Sequence, residues 1–370
     1  MTHMDTQKIY RRSLELFLAG VSSFILSYIY LEDLHLDLGF GTLGAFYVEF
    51  TLGTVPLILY LFFWGRKHES RKENKYVHFL RISFGYLWVL DAFLQMQPGM
   101  NEYFASFIIG PNISSGGITG QLAAYAFALW NLHPVAFDVV SSLIQLYIGT
   151  LLLAFSRGRI YYWTQIVAIL WGIAIWIFGE GFGGTLLPGA TILTGFPGSA
   201  LVYVFASIIL LLSVKSSSKM VTRLSYFIGA SIFIPSLIVQ ILPSSGFFPS
   251  MRSIFMPMPA PFGILNFTNQ IQLYFTNVLF FPDVVTIALI LISLSGWLLG
   301  RSYGYISSAI LAAFTWIVFE GFGILGILST DPNTGPPLLI ISIFFLLKGV
   351  KLPKLEFHSL PERKQTGVPK

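Results

Sequence analysis

The chain has 370 residues, of which 55% are hydrophobic, 16% aromatic and only 11% charged. Soluble domains carry about 25% charged residues, so these side chains cannot cover a water-soluble globule, and a mean hydropathy of +0.73 agrees. The net charge of +5 does not point to nucleic acid, because the basic residues sit in short loops, where they report membrane topology.

A bilayer-crossing helix needs about 20 apolar residues, or about 17 when short. Ten segments qualify, near 13–31, 43–64, 79–96, 134–156, 160–178, 199–214, 223–242, 282–300, 303–320 and 336–348. Placing the N-terminus in the cytoplasm and alternating the spans puts 21 of the 22 basic residues on the cytoplasmic side, with Arg252 as the exception. This positive-inside pattern predicts a multi-pass cell-membrane protein with both termini inside. The outer segments 97–133 and 243–281 are long, rich in Gly, Pro and Ser, and almost free of basic charge. They are expected to lie in the interface as short helices or to cap the bundle.

The chain has no cysteine and six histidines, none of them within a long apolar run. That excludes disulfides, iron–sulfur clusters and thiolate copper sites. It also leaves no pair of helix histidines for haem, so no metal site is expected in this chain. Walker A, His-Glu-x-x-His and nucleophile-elbow motifs are absent, which removes ATP-driven work and common hydrolytic chemistry.

The chain contains an internal duplication. Phe178-Gly-Glu180-Gly-Phe-Gly-Gly184 resembles Phe319-Glu320-Gly-Phe-Gly323, and Pro134 with Asp138 resembles Pro282-Asp283. Arg81 with Gly85 resembles Arg223 with Gly229, and Gln97-Pro98 resembles Leu242-Pro243. The predicted fold is therefore all-α, with ten transmembrane helices: a two-helix segment (1–78), two tandem four-helix bundles (79–222 and 223–350) and a cytoplasmic tail (351–370). Repeats with an even number of spans are related by an axis along the membrane normal, a parallel repeat. The alignment sets Asp91 opposite the apolar Ile234-Pro235.

An ionisable residue within a membrane span is a functional hypothesis by default, because an unpaired charge there is costly. Asp91 is the acidic residue placed well inside a span of the first bundle, with Gln95 one turn further out and Gln97 at the exit. These three, with Glu180, are candidates for a quinone headgroup site or a proton path. The alternative is structural hydrogen bonding to a neighbouring helix. Glu320, Gly181, Gly183, Gly321 and Gly323 are candidates for structural loops, in which glycines permit tight turns and the glutamate accepts backbone N–H bonds. Glu15 and Glu49 are candidates for pairing with other spans or another subunit.

Arg81-x-x-x-Gly85-x-x-Trp88 opens the first four-span unit, followed by Leu87-Trp-Val-Leu-Asp91-Ala-Phe-Leu-Gln95-Met-Gln97-Pro98 and Gly179-Glu-Gly-Phe-Gly-Gly184. These strings resemble DoxX/DoxD-like membrane proteins, a family that includes the membrane subunit of an archaeal thiosulfate:quinone oxidoreductase. The chain departs from shorter members by its duplication, its two leading spans and Gln95, where those members often carry a basic residue. The resemblance implies an accessory membrane subunit of a quinone-linked respiratory complex, of the archaeal haem–copper terminal quinol oxidase kind. Such a subunit is non-catalytic or shapes a quinol site. Haem and copper then belong to a partner chain, and lipid, that partner and quinone are the expected contacts, with no nucleic acid. A transporter or channel on parallel repeats and a ligand-free membrane scaffold remain as alternatives.

Overall fold

A computed structural model describes residues 73–96, 100–185, 187, 190–213, 218–242, 281–320 and 330–349. The segments 13–31 and 43–64 with Glu15 and Glu49, most of 243–281 with Arg252, and the tail lie outside the described residues. Among the described residues every regular element is a helix, and five are long and apolar enough to cross a membrane.

Helix α1 spans Lys75–Gln95. It begins four residues before the apolar pattern indicates, because the Asn74 side chain accepts a hydrogen bond from the Tyr76 N–H at 2.9 Å and so caps the first turn. Residues 100–132 form α2 (Met100–Phe104), a π-helical turn (Ala105–Ile109), α3 (Gly110–Ile113) and α4 (Gly117–Leu132). Then follow α5 (Pro134–Ala154), α6 (Gly158–Ala174) and, after a loop, α7 (Ser199–Ser213). The later elements are α8 (Ser218–Ile241), α9 (Phe281–Leu299), α10 (Ser302–Phe314) and α11 (Gly335–Gly349).

We call α1 and α5–α7 the front set and α8–α11 the rear set. In the front set α1 packs on α5 and α6 on α7; in the rear set α8 packs on α9, α9 on α10 and α10 on α11. The sets meet where α11 lies against α1 and α7. Small residues allow the closest approaches: a Cβ on Gly149 would stand 2.7 Å from the Val89 backbone N and 2.8 Å from the Gly85 carbonyl. Close backbone contact of this kind gives the dispersion energy that holds helices together in lipid, where water supplies no driving force.

Two details recur in both sets. Gln95 Nε2 donates to Asp138 Oδ1 at 2.6 Å, tying α1 to α5, and Gln240 Nε2 donates to Asp283 Oδ1 at 2.9 Å, tying α8 to α9; the partners are 43 residues apart in each case. The third helix of each set ends in a π-helical turn, Ile175–Gly179 or Thr315–Phe319, followed directly by Glu180 or Glu320 in the same backbone conformation. The register of the Gln–Asp pairs corrects the sequence alignment. A shift of 145 residues carries one pair onto the other, and it places Ser236, not Ile234-Pro235, opposite Asp91. Ser236 is fully buried and returns its hydroxyl to the Ile232 carbonyl at 2.7 Å. The counterpart of Asp91 is thus a self-satisfied polar residue, not an apolar one.

A charged cluster closes the other end of α1. Arg81 is 2% exposed and donates to the carbonyls of Leu152 and Leu153 at the end of α5. Those carbonyls have no helical partner of their own, and a cation suits the negative end of the helix dipole. Glu73 accepts from Arg81 Nε and Nη2 at 2.9 and 2.8 Å and pairs with His78 Nδ1 at 2.9 Å. Burial pushes the Glu73 carboxyl up, but the bonds from His78 and Arg81 outweigh it and hold the group below its ordinary value.

Candidate functional site

At the far end of α1 a partly open cavity of about 300 Å³ lies against the front set. Asp91 lies ten residues beyond Arg81, about 15 Å further along the helix. The wall is mostly apolar, built from Trp88, Phe104, Trp130, Phe137, Trp171 and Phe178 among others. The sequence alone did not assign α2–α4 a role at a site, yet Phe104 and Trp130 come from them. Trp130 is fixed between Phe104 and Phe137, with ring centroids 4.2 and 6.1 Å away.

Polar groups converge on this apolar space: Asp91, Gln95, Gln145, Glu180, Tyr203 and Asp331. Asp91 is 3% exposed and Tyr203 2% exposed. Asp91 and Tyr203 interact with each other, yet among the described residues no hydrogen bond of ordinary geometry reaches Asp91 Oδ1, the Tyr203 hydroxyl, Gln145 Oε1, Glu180 Oε2 or the indole N–H groups of Trp88, Trp130 and Trp171. A buried polar atom without a partner costs about 1–3 kcal/mol. Several such atoms on one cavity wall therefore point to a ligand that supplies the missing bonds. Tyr203 is held in place by edge-on packing against Trp88, 4.7 Å between ring centroids, and against Phe84 at 5.2 Å.

Glu180 reaches the cavity through a tight turn. Gly181 and Gly183 have φ of +55° and +71°, a left-handed backbone that glycine adopts without penalty. A side chain on Gly183 would collide with the Pro197 carbonyl, and one on Gly181 with Asn112, whose Nδ2 donates to the Gly179 carbonyl at 3.0 Å. The turn brings Glu180 to the start of α7, where Oε1 accepts from Ser199 Oγ at 2.7 Å and from the Ala200 N–H at 3.0 Å. Glu320 holds the equivalent place in the rear set but uses both oxygens: Oε1 accepts from the Thr334 N–H at 3.1 Å and Oε2 from the Gly335 N–H at 3.0 Å. Both glutamates satisfy orphan N–H groups at a helix N-terminus, but Glu180 Oε2, buried beside Gly198, lacks the direct N–H bond that Glu320 Oε2 has.

Among the residues singled out from sequence, Asp91, Gln95 and Glu180 share this wall. Gln95 is committed to its bond with Asp138. Glu320 stands apart as a helix cap, and Gln97, Gly321 and Gly323 lie outside the described residues. Sequence reasoning missed Tyr203, Gln145 and Asp331. It also missed the Gln95–Asp138 pairing, whose signal was legible as a Gln and an Asp 43 residues apart, twice.

Among the described residues no lysine, arginine or histidine lines the cavity. Among the described residues no group of three or more His, Asp or Glu is arranged to hold a metal ion. The wall thus opposes anions and suits a neutral or cationic molecule that is largely apolar and carries hydrogen-bonding groups at one end. No protein-family model, no curated protein and no solved structure matches the chain.

Proposed function

We propose that the chain is an accessory integral-membrane subunit of a quinone-linked respiratory oxidoreductase, of the haem–copper terminal quinol oxidase kind, and that its front set holds the quinol. The observation that carries this reading is the apolar cavity with Asp91, Glu180 and Tyr203 on one wall, where Asp91 Oδ1 and Glu180 Oε2 have no hydrogen-bond partner among the described residues. A benzenoid headgroup with two oxygens and an apolar tail matches that chemistry, and the DoxX-like strings around Asp91 and Glu180 point the same way. When bound, a hydroquinone supplies two electrons, destined for the haem-bearing partner, and two protons. The chain's own residues exclude water with the Trp and Phe wall, orient the headgroup through Tyr203 and Asp91, and offer Asp91 Oδ1 as a proton acceptor.

On the same reading the protein is a ten-span cell-membrane protein with both termini cytoplasmic, built as two parallel four-helix units behind two leading helices. Three features support the parallel arrangement: the recurring Gln–Asp pair, the recurring π turn with its glutamate, and the bond from Thr334 Oγ1 to the Gly195 carbonyl. That bond joins the equivalent loops before α7 and α11, so the two units have corresponding ends on one face. Inverted repeats would put them on opposite faces.

The test is a mildly solubilised preparation from native membranes. The expected result is a stable complex with a haem spectrum and co-extracted quinone, with quinol-linked turnover that falls in Asp91→Asn while assembly stays normal. Recovery of the chain without haem or quinone overturns it. A second reading is favoured by the carboxylates Asp91, Glu180 and Asp331, gathered with no lysine, arginine or histidine among the described lining residues: a cation- or proton-coupled transporter. Cation uptake by vesicles holding only this chain would select that reading. A chain that copurifies with partners but takes up no ligand of either class would be a membrane scaffold.

A further inference from the structure

The cavity lies in the front set, yet one of its carboxylates does not. Thr330 and Asp331 precede α11 in the rear set and line the front cavity with Asp91, Glu180 and Tyr203. Asp331 stands within electrostatic range of all three. The loop that carries it is shaped for the purpose: Asn333 takes a left-handed backbone at φ +64°, and its N–H donates to Asp331 Oδ1 at 2.6 Å, while Thr330 Oγ1 donates to Oδ2 at 3.2 Å. The Thr334 bond to the Gly195 carbonyl anchors the loop to the front set.

The exchange is reciprocal. A Cβ on Gly195, in the front loop, would stand 3.4 Å from Glu320 Oε1 of the rear set. Each set thus sends the loop before its last helix to the other set's glutamate. Where the rear loop presents Asp331, the front loop presents Gly195 and the apolar, buried Phe196. The fold therefore does not demand an acid at this place. A carboxylate has about four acceptor positions; Asp331 uses one on each oxygen for its own loop and also interacts with the Ser199 hydroxyl at the start of α7, so only part of its accepting capacity remains for a visitor.

We propose that Asp331 is a specificity-determining residue of the front cavity, donated by the rear set, and that it selects a ligand bearing hydroxyl donors, the reduced hydroquinone over the oxidised quinone. This rests on the quinol reading above and goes beyond it by naming the redox form held and the part of the chain that reads it. An ionised carboxylate only accepts hydrogen bonds. It gains a bond from a hydroxyl and meets only the lone pairs of a quinone carbonyl.

The experiment uses the full chain in nanodiscs under anaerobic conditions, titrated by calorimetry with a short-chain benzohydroquinone and with its oxidised form. In the wild type the hydroquinone binds more tightly than the quinone. Asp331→Asn keeps the side-chain oxygen that accepts from Asn333, and it lowers hydroquinone affinity about tenfold, the loss of one charge-assisted bond, with quinone affinity unchanged or raised, because the amide can donate to a carbonyl, and the thermal midpoint within error of wild type. Thr334→Val, which removes only the anchor, lowers the same preference by a smaller factor. Hydroquinone binding that is equal in wild type and Asp331→Asn overturns the role of Asp331 and leaves the quinol reading standing. Equal loss of both redox forms together with a lowered midpoint assigns Asp331 a structural role and overturns the proposal. A wild-type chain that binds neither form overturns the quinol reading and this inference with it.

Discussion

The front and rear sets perform the same structural tasks with different amounts of polar chemistry left over. Both tie their first two helices with a Gln–Asp bond, and both end the third helix in a π turn and a glutamate that caps the fourth. In the rear set the buried polar side chains mostly answer one another: Trp297 Nε1 donates to Ser308 Oγ, Ser308 Oγ to Ser342 Oγ, and Ser293 Oγ to Ser307 Oγ. In the front set Asp91, Glu180 and Tyr203 face a cavity with atoms unpaired among the described residues. The rear copy has exceptions, since Gln240 Oε1 and Thr315 Oγ1 lack hydrogen-bond partners among the described residues, but it shows that the fold can answer most of its buried polar groups. The unsatisfied atoms are therefore better explained by a ligand than by the demands of folding.

The comparison can be broken most severely at the turn. Gly183→Val places a branched side chain in left-handed backbone against the Pro197 carbonyl. Strain of about 1–2 kcal/mol from the backbone adds to overpacking of about 1–3 kcal/mol, so little monodisperse protein is expected in detergent by size-exclusion chromatography. Normal yield and thermal midpoint would mean that this turn does not position Glu180.

The Gln–Asp pairs give the next effect. Gln95→Leu removes a donor from Asp138, which is 2% exposed. A cost of about 1.5–3 kcal/mol follows for a hydrogen bond to a charged group. Gln240→Leu should cost less, because Asp283 is only half-buried and water can replace the lost donor. Thermal midpoints in the reverse order would refute the claim that the front pair is the more shielded.

Glu320→Gln and Glu180→Gln sharpen the contrast directly. A glutamine amide has one acceptor oxygen, so Glu320→Gln turns an NH₂ toward a backbone N–H and should cost about 1–2 kcal/mol. Glu180→Gln can turn its NH₂ to the cavity and keep its oxygen on Ser199 and Ala200. Its thermal midpoint should stay near wild type while ligand affinity changes. Equal destabilisation by the two variants would remove the distinction drawn here.

The smallest effect lies at the Arg81 end. Glu73 titrates below its ordinary value near 4.5 in the folded protein. Its contribution is present above the unfolded value and lost as pH falls through the folded one. Glu73→Gln should therefore lower stability by no more than about 1 kcal/mol near neutral pH. The difference from wild type should vanish at acid pH, as read from thermal midpoints across a pH series. A difference that persists at low pH would show that Glu73 acts by packing rather than by charge.

Local chemistry made much of this legible from the chain alone. Apolar runs and the scarcity of charge determine that helices form and that lipid can cover them, because those are properties of a segment and its solvent. The repeat was visible in the Gly-Phe-Gly turns, because left-handed backbone leaves a glycine signature at fixed places. The pairing of Asp91 with Ser236 was not, since the helices between offer many apolar alignments of equal merit, and only the Gln–Asp bonds set the register. Tertiary structure alone decided the cavity. It brings Asp91, Glu180, Tyr203 and Asp331 to one wall from four separate stretches of chain, and no short-range pattern encodes that meeting. Which glutamate caps its helix through both oxygens and which through one likewise depends on where a neighbouring helix begins, a matter of packing geometry that two nearly identical turns cannot reveal.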